Sequence, residues 1–416
     1  MFSIYLNAIK VKDIRRKLFY IGLVLLIFRI GSHIPLPGLN MEMLYGPDSI
    51  GGTQTMIAMI VGGDIGTIFV MGIGPYITAS IIMQLLTVAV PYLEQLKKEG
   101  EEGRKKINQY TRILAVIMAV LQAAGTVFSL RQAFYHPNIF VYFVAALTMI
   151  AGSMFIMWLS ELLTERAIGN GASFIIFANI LTALPMDIIT LYEFSTRGVG
   201  SAIIVAMVLV LFLIIIAFVL LVQDGQRKIP VQYSKKMVGK QMYGGQSSFI
   251  PVKVNFAGVM PIIFAMSLLG FPMQLAQFVQ PGWLLTVVEA LRLTSILGAS
   301  LYVFLIFAFT FFYTSFALNP IEMAENLKKN GGFIPGIRPG KPTSDYILRS
   351  VNRLSWVGAS FYAIVALIPI VLEWTLGIGI GFGGTTLLIV IGVAMELVKQ
   401  LESQLLMRNY KGFLNN

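Results

Sequence analysis

A chain of 416 residues that is 56% hydrophobic and 12% charged, with a mean hydropathy of +0.78, has too little charge to cover a soluble surface of that size. It has no cysteine, which excludes disulfides, thiolate zinc sites and thiol catalysis. Its two histidines, His33 and His136, stand far apart with no carboxylate cluster to complete a metal site, and no cofactor is expected. The net charge of +11 is compatible with anionic lipid or nucleic acid, and its distribution along the chain has to decide between them.

Residues 1–17 form a polar lead without the short apolar core and small-residue cleavage site of a signal peptide. Apolar runs bounded by charge, Gly or Pro then predict ten spans, each near the ~20 residues that a membrane helix needs. Span one covers 18–34. Span two is irregular, with a weak apolar piece at 55–61, a Gly-broken stretch, then Ile73 to Val90. Span three covers 113–130, span four 139–163, and span five, which is short, 172–184. Residues 185–200 connect outside the membrane. Span six covers 201–222, span seven 256–269, span eight 296–318, span nine 354–372 and span ten 381–398, followed by a tail at 399–416.

The basic residues separate by side. The lead, the tail and the loops after spans two, four, six and eight hold 27 of the 31 Lys and Arg. The opposite side holds only Arg131, Arg197 and Arg292, and Arg29 lies within span one. This asymmetry predicts cytoplasmic termini, so the basic excess reads as a topology signal rather than a nucleic-acid surface. Five spans per half would give the two halves, 18–184 and 201–398, opposite orientations. No sequence repeat between them is evident.

Several features bear on function. No engine is encoded: Gly336-Ile337-Arg338-Pro339-Gly340-Lys341-Pro342 is one residue short of a phosphate-binding loop and lacks its Ser/Thr. The spans are nearly free of charge apart from Arg29 and Glu161, unlike those of ion-coupled transporters. Glycines break span two (Gly62, Gly63, Gly66, Gly72, Gly74) and precede spans five and ten. Such backbone at membrane depth must lie against protein or water. Branched apolar residues flank these breaks: Ile73 and Ile77 on one helical face, Ile176 one turn beyond Ala172, Ile263 and Ile389. Two large cytoplasmic loops, at 223–255 and 319–353, look ordered. The first alternates polar and apolar residues around Lys228 to Tyr233, as a hairpin does; the second has a helix-like stretch from Met323 to Lys329 and a Gly/Pro-rich tip.

The chain resembles the SecY family, large subunits of the bacterial Sec translocon, over nearly its whole length. The matching stretches are Phe28 to Gly38, Pro75 to Leu86, Lys97-Lys98-Glu99-Gly100-Glu101, Gln109-Tyr110-Thr111-Arg112, Thr164-Glu165-Arg166, Ile168-Gly169-Asn170-Gly171, Val252-Lys253-Val254-Asn255, Asn326-Leu327-Lys328-Lys329, Gly336 to Gly340 and Phe382-Gly383-Gly384-Thr385. The resemblance implies an all-α polytopic membrane protein with ten transmembrane helices in two pseudo-symmetric, inverted halves around an hourglass pore in the bacterial plasma membrane. It implies a waist of Ile73, Ile77, Ala172, Ile176, Ile263 and Ile389, wider at Ala172, where the family's usual residue is bulky. It implies a plug over about 55–64: Thr55, Met56, Ile57, Ala58, Met59, Ile60, Val61, Gly62, Gly63 and Asp64. A lateral gate would lie between spans two and three and spans seven and eight, with Gln122 and Asn255 able to bond across it, and signal sequences would leave through it into lipid. Arg227, Lys228, Lys235, Lys236 and Arg338 would dock the SecA motor or the ribosome, and SecE and SecG would be small membrane partners. A secondary transporter or an intramembrane enzyme fits the clean spans and the missing catalytic clusters less well.

Overall fold

Periodic apolar stretches with polar punctuation favour helices over most of this chain. The computed structural model describes residues 11–40, 66–167, 169–196, 198–233, 236–238, 241–243, 247–256, 258–276, 289–376 and 384–414, and it places a helix on each of the ten apolar runs. The helices are α1 (Lys12–Gly31), α2 (Gly74–Ala89), α3 (Pro91–Lys98), α4 (Glu101–Ser129), α5 (Ile139–Arg166), α6 (Gly171–Ser195), α7 (Val199–Asp224), α8 (Met260–Ala276), α9 (Ile296–Ala317), α10 (Pro320–Lys329), α11 (Lys341–Leu376) and α12 (Gly384–Leu414).

Among the described residues, five helical runs are long and apolar enough to cross a membrane: α4, α5, α7, the run Ile296–Lys329 that holds α9, and α11. The pair α2 and α3, bent by 97°, makes a sixth if it counts as one span. The other expected spans fall short for visible reasons. α1 begins with Lys12, Arg15, Arg16 and Lys17. The apolar parts of α6 and α8 are only Gly171–Pro185 and Met260–Gly270. α12 continues through Lys399, Glu402, Arg408 and Lys411.

Several helices overrun the apolar core. α4 starts twelve residues before Ile113 and α11 thirteen before Leu354, so both run well beyond their apolar spans into polar sequence. α6 continues through Pro185 to Ser195, where the sequence suggested an external connection. α3 is a short amphipathic helix set off by Val90-Pro91, a pair that bars the α conformation before proline. Helix starts are capped locally. Asn170 Oδ1 accepts from Ala172 N at 3.0 Å, Thr164 Oγ1 from Gly171 N at 2.9 Å, and Ser295 Oγ from Gly298 N at 2.9 Å.

Burial agrees with a lipid environment. α7 is apolar all round, yet only Val208, Phe212, Ile215, Val219 and Gln223 are buried, a single inward stripe at helical spacing. Met207, Val210, Leu213, Ile214 and Leu221 stay at least half exposed. A helix greasy on every face with one packed stripe faces hydrocarbon on the rest. There, close packing rather than removal from water holds helices together. The inward faces of α1, α2, α5, α6, α7, α8, α9, α11 and α12 build one large apolar cluster. The helices before α7 meet those from α7 onward principally in two places: α6 lies against α7 and α12, and α8 lies against α2 and α4.

In the loop between α7 and α8, β1 (Gln226–Tyr233) pairs antiparallel with β4 (Ser247–Lys253), with Ile229 opposite Ile250. A small hairpin of β2 (Lys236–Val238) and β3 (Gln241–Tyr243) lies between them in sequence. The expected hairpin is therefore present. The sequence did not indicate the third strand: β5 (Gly332–Phe333), from the other loop, pairs with β1 at Tyr233 and Gln232. Ile229, Val231 and Val252 then pack with Leu327, Ile334, Ile347 and Val351 into a separate core, so the two loops form one unit together with α10 and the start of α11.

Candidate functional site

Residues Gly66–Ile73 carry the irregular backbone ahead of α2, and their polar groups are satisfied inside protein. Ile68 N donates to Ile34 O (3.1 Å), Leu36 N to Gly66 O (2.8 Å) and Gly72 N to Phe69 O (2.8 Å), while Ser153 Oγ on α5 donates to Gly72 O (3.1 Å). Gly152 lets α5 approach, since a Cβ there would lie 2.2 Å from Ile68 O. Phe69 stacks between Phe28 and Phe155 at ring separations of 5.8 and 6.2 Å. The sequence pointed to irregular backbone here; the anchors Gly152 and Ser153 went unnoticed, because nothing local to α5 distinguishes them.

This anchoring sets Ile73, fully buried, at the head of α2, with Ile77 one turn on. Ile176 on α6, Ile263 on α8 and Ile389 on α12 are also buried, and Ala172, half-buried, packs against the cluster that holds them. All six residues belong to the one large cluster. Four separate helices contribute them, and these helices touch in pairs: α2 with α8, and α6 with α12.

Gln122 lies on α4 and Asn255 just ahead of α8, helices that adjoin. Gln122 Nε2 and Asn255 Oδ1 are each buried without a hydrogen-bond partner, so a donor and an acceptor stand unpaired on the two elements. Glu161 pairs across helices: Arg112 Nε on α4 donates to its Oε1 at 2.8 Å, joining α4 to α5. Arg29 Nη1 donates to Ser32 Oγ at 3.4 Å.

Arg227 and Lys228 are exposed on β1, with Lys228 Nζ 4.8 Å from the centre of the Phe249 ring. Lys236 is on β2. Arg338 is exposed at the tip of the second loop, where Thr343 Oγ1 holds its carbonyl oxygen at 2.8 Å. Arg338 and the β1 cations thus project from the same folded unit. Lys235 and the expected plug, Thr55 to Asp64, lie outside the described residues. Among the described residues, no group of three His, Asp or Glu could hold a metal ion.

A model of the SecY family matches residues 67–398, most of the chain, including α2, α6, α8 and the first half of α12. The chain belongs to the SecY family. It is 41% identical over 426 residues to protein translocase subunit SecY of Aquifex aeolicus, covering 99% of each chain. It is 44% identical over 433 residues to the SecY of Halalkalibacterium halodurans, covering both chains fully. As a SecY protein it is a subunit of a membrane protein translocase and not an enzyme. Its fold resembles a SecY channel whose plug domain stabilises the closed state and maintains a membrane seal (TM-score 0.62, 19% identity, 92% of this chain and 91% of that one). It also resembles Sec61 in the canine ribosome–channel complex (TM-score 0.60, 18% identity, 92% and 91%).

Proposed function

We propose that this SecY chain forms the pore of a protein-conducting channel in the bacterial plasma membrane, with both termini cytoplasmic and ten spans in two inverted halves, residues 18–184 and 201–398. The observation that carries the reading is the gathering of Ile73, Ile77, Ala172, Ile176, Ile263 and Ile389 from four helices into one buried apolar cluster. A constriction of branched aliphatic side chains expels water and so blocks ions, yet offers no polar group to hold a passing polypeptide. Near-complete burial of the isoleucines is what the resting constriction requires. Residues 55–64 would seal it from outside as a plug, as in the SecY channel of similar fold.

In this reading α8 against α2 and α4 is the lateral gate. Apolar signal sequences and membrane helices pass sideways through it because they are more stable in lipid. The unpaired atoms of Gln122 and Asn255 bias it: they lose nothing when the seam parts and water or a polar backbone reaches them. Energy comes from outside the chain, from the SecA motor or a translating ribosome docked on the basic cytoplasmic unit, with SecE and SecG as membrane partners. The ribosome-bound Sec61 channel of similar fold supports the ribosome among these.

The deciding experiment places a photo-crosslinking residue at Ile77, at Ile263 or at the lipid-facing Leu213, and stalls a secretory nascent chain midway. Crosslinks should form from Ile77 and Ile263 and not from Leu213. Crosslinking from Leu213 alone, or from none of the three, would sink the collar. A second measurement concerns docking. Arg338→Glu reverses an exposed charge and should impair motor-driven secretion well before it affects co-translational insertion. Equal loss of both activities would count against a motor-specific role.

A further inference from the structure

Residues 254–256 and 258–259 lie between the sheet and α8, and α11 holds them at two points one helical turn apart. Gly358 of α11 packs against the first: a Cβ there would lie 3.0 Å from Val254 O. One turn later Tyr362, 1% exposed, donates its hydroxyl to the carbonyl oxygen of Gly258, whose φ of +64° suits glycine. Val254 N also donates to Gly225 O, at the junction of α7 and β1, at 2.9 Å. The segment spans both cores, with Phe256 packing on the cytoplasmic unit and Val259 within the large membrane cluster. α11 does the same, with Ile347 and Val351 in the former and Phe361, Tyr362 and Val365 in the latter.

We propose that Tyr362 is a positioning residue of the gate. Its hydrogen bond to Gly258 makes the cytoplasmic unit, α11 and the start of α8 one rigid body, so that a partner docking on the unit moves α8 along its seam with α2 and α4. The proposal rests on the gate reading above. Of the connections between the two cores (α7 into β1, the strap into α8, α9 into α10, and α11), the strap is the one that leads into α8, and it follows the unit together with α11 only if helix and strap cannot slide past each other. Gly358 and Tyr362 supply the two fixed points that prevent sliding. A phenol buried at this depth gains most from a partner where water is absent, so the bond persists through small motions.

The chain has no cysteine, so spin labels can be placed on Leu121→Cys in α4 and Leu268→Cys in α8, both partly exposed. The full chain in lipid nanodiscs is then titrated with bacterial ribosomes. With Tyr362 present, ribosomes should shift the label-to-label distance. In Tyr362→Phe, which keeps the ring, the shift should be lost while ribosome affinity is unchanged. Gly358→Val, which pushes Val254 away, should uncouple in the same manner. A full shift in Tyr362→Phe would overturn the proposal and leave the gate intact. A fall of affinity and shift together would overturn it too, because tyrosine would then act by folding the docking unit. No shift in the parent protein would overturn the gate reading itself, and the proposal with it.

Discussion

Replacing Ile77 and Ile263 together with glycine should raise the resting ion conductance of the channel by about an order of magnitude or more, since each ~1.4 kcal/mol taken off a barrier multiplies passage about tenfold. The two residues sit on α2 and α8, helices that touch, and both are buried in the same cluster. Each isoleucine removed leaves a void. Core truncations of this size typically cost ~2–5 kcal/mol because the surroundings close only partly. In a channel the same void admits water, and a wetted constriction no longer excludes ions. A single replacement should leak less than the pair. Leu213→Gly weakens α7 by a comparable helix-propensity cost but faces lipid, so it should leave conductance unchanged. Planar-bilayer recordings of the four variants decide the matter. Unchanged conductance in the double variant would remove the collar from the pore.

Gly152→Val should be strongly damaging. Any Cβ at this position meets Ile68 O at 2.2 Å and approaches the Phe69 ring at 3.2 Å. The rigid partner is backbone, so the clash is relieved only by moving the Gly66–Ile73 segment. A cost of about 3 kcal/mol or more is expected for such overpacking. Because that segment carries Ile73 into the collar, the loss of stability should come with resting leak. Ser153→Ala, the neighbouring change, removes only the bond to Gly72 O and should cost about 1 kcal/mol with little leak. Thermal unfolding in nanodiscs and conductance separate the two outcomes. Equal behaviour of the variants would mean that the segment is not held by α5.

The candidate site was legible to different degrees at its different parts. The branched residues beside glycine breaks stood out because a break and a bulky neighbour are both local in sequence, but only a resemblance singled them out from ordinary packing. The structure then brought all six into one cluster. Gln122 and Asn255 were identified as a pair, and they lie on adjoining elements with a free donor and a free acceptor rather than bonded to each other. Glu161, one of the two charges within the spans, is held by Arg112, a residue 49 positions away. Tyr362 and Gly358 gave no signal at all. A tyrosine and a glycine in an apolar helix are unremarkable until the segment they grip is known.

By itself the sequence determined where helices lie, which loops are basic and where backbone breaks, because hydrophobic period, charge and the conformational limits of glycine and proline act over a few residues. It did not show where helices end, since α4, α6, α11 and α12 continue beyond their apolar cores. Only the tertiary structure decided that the two large loops share a sheet and a core, that α8 borders α2 and α4, and that isoleucines of four helices fall within one large apolar cluster. Those pairings are choices among many apolar surfaces of equal greasiness. They are settled by shape, by whether a ridge, a glycine gap or a buried hydroxyl finds its counterpart, and that information is not contained in any short stretch of chain.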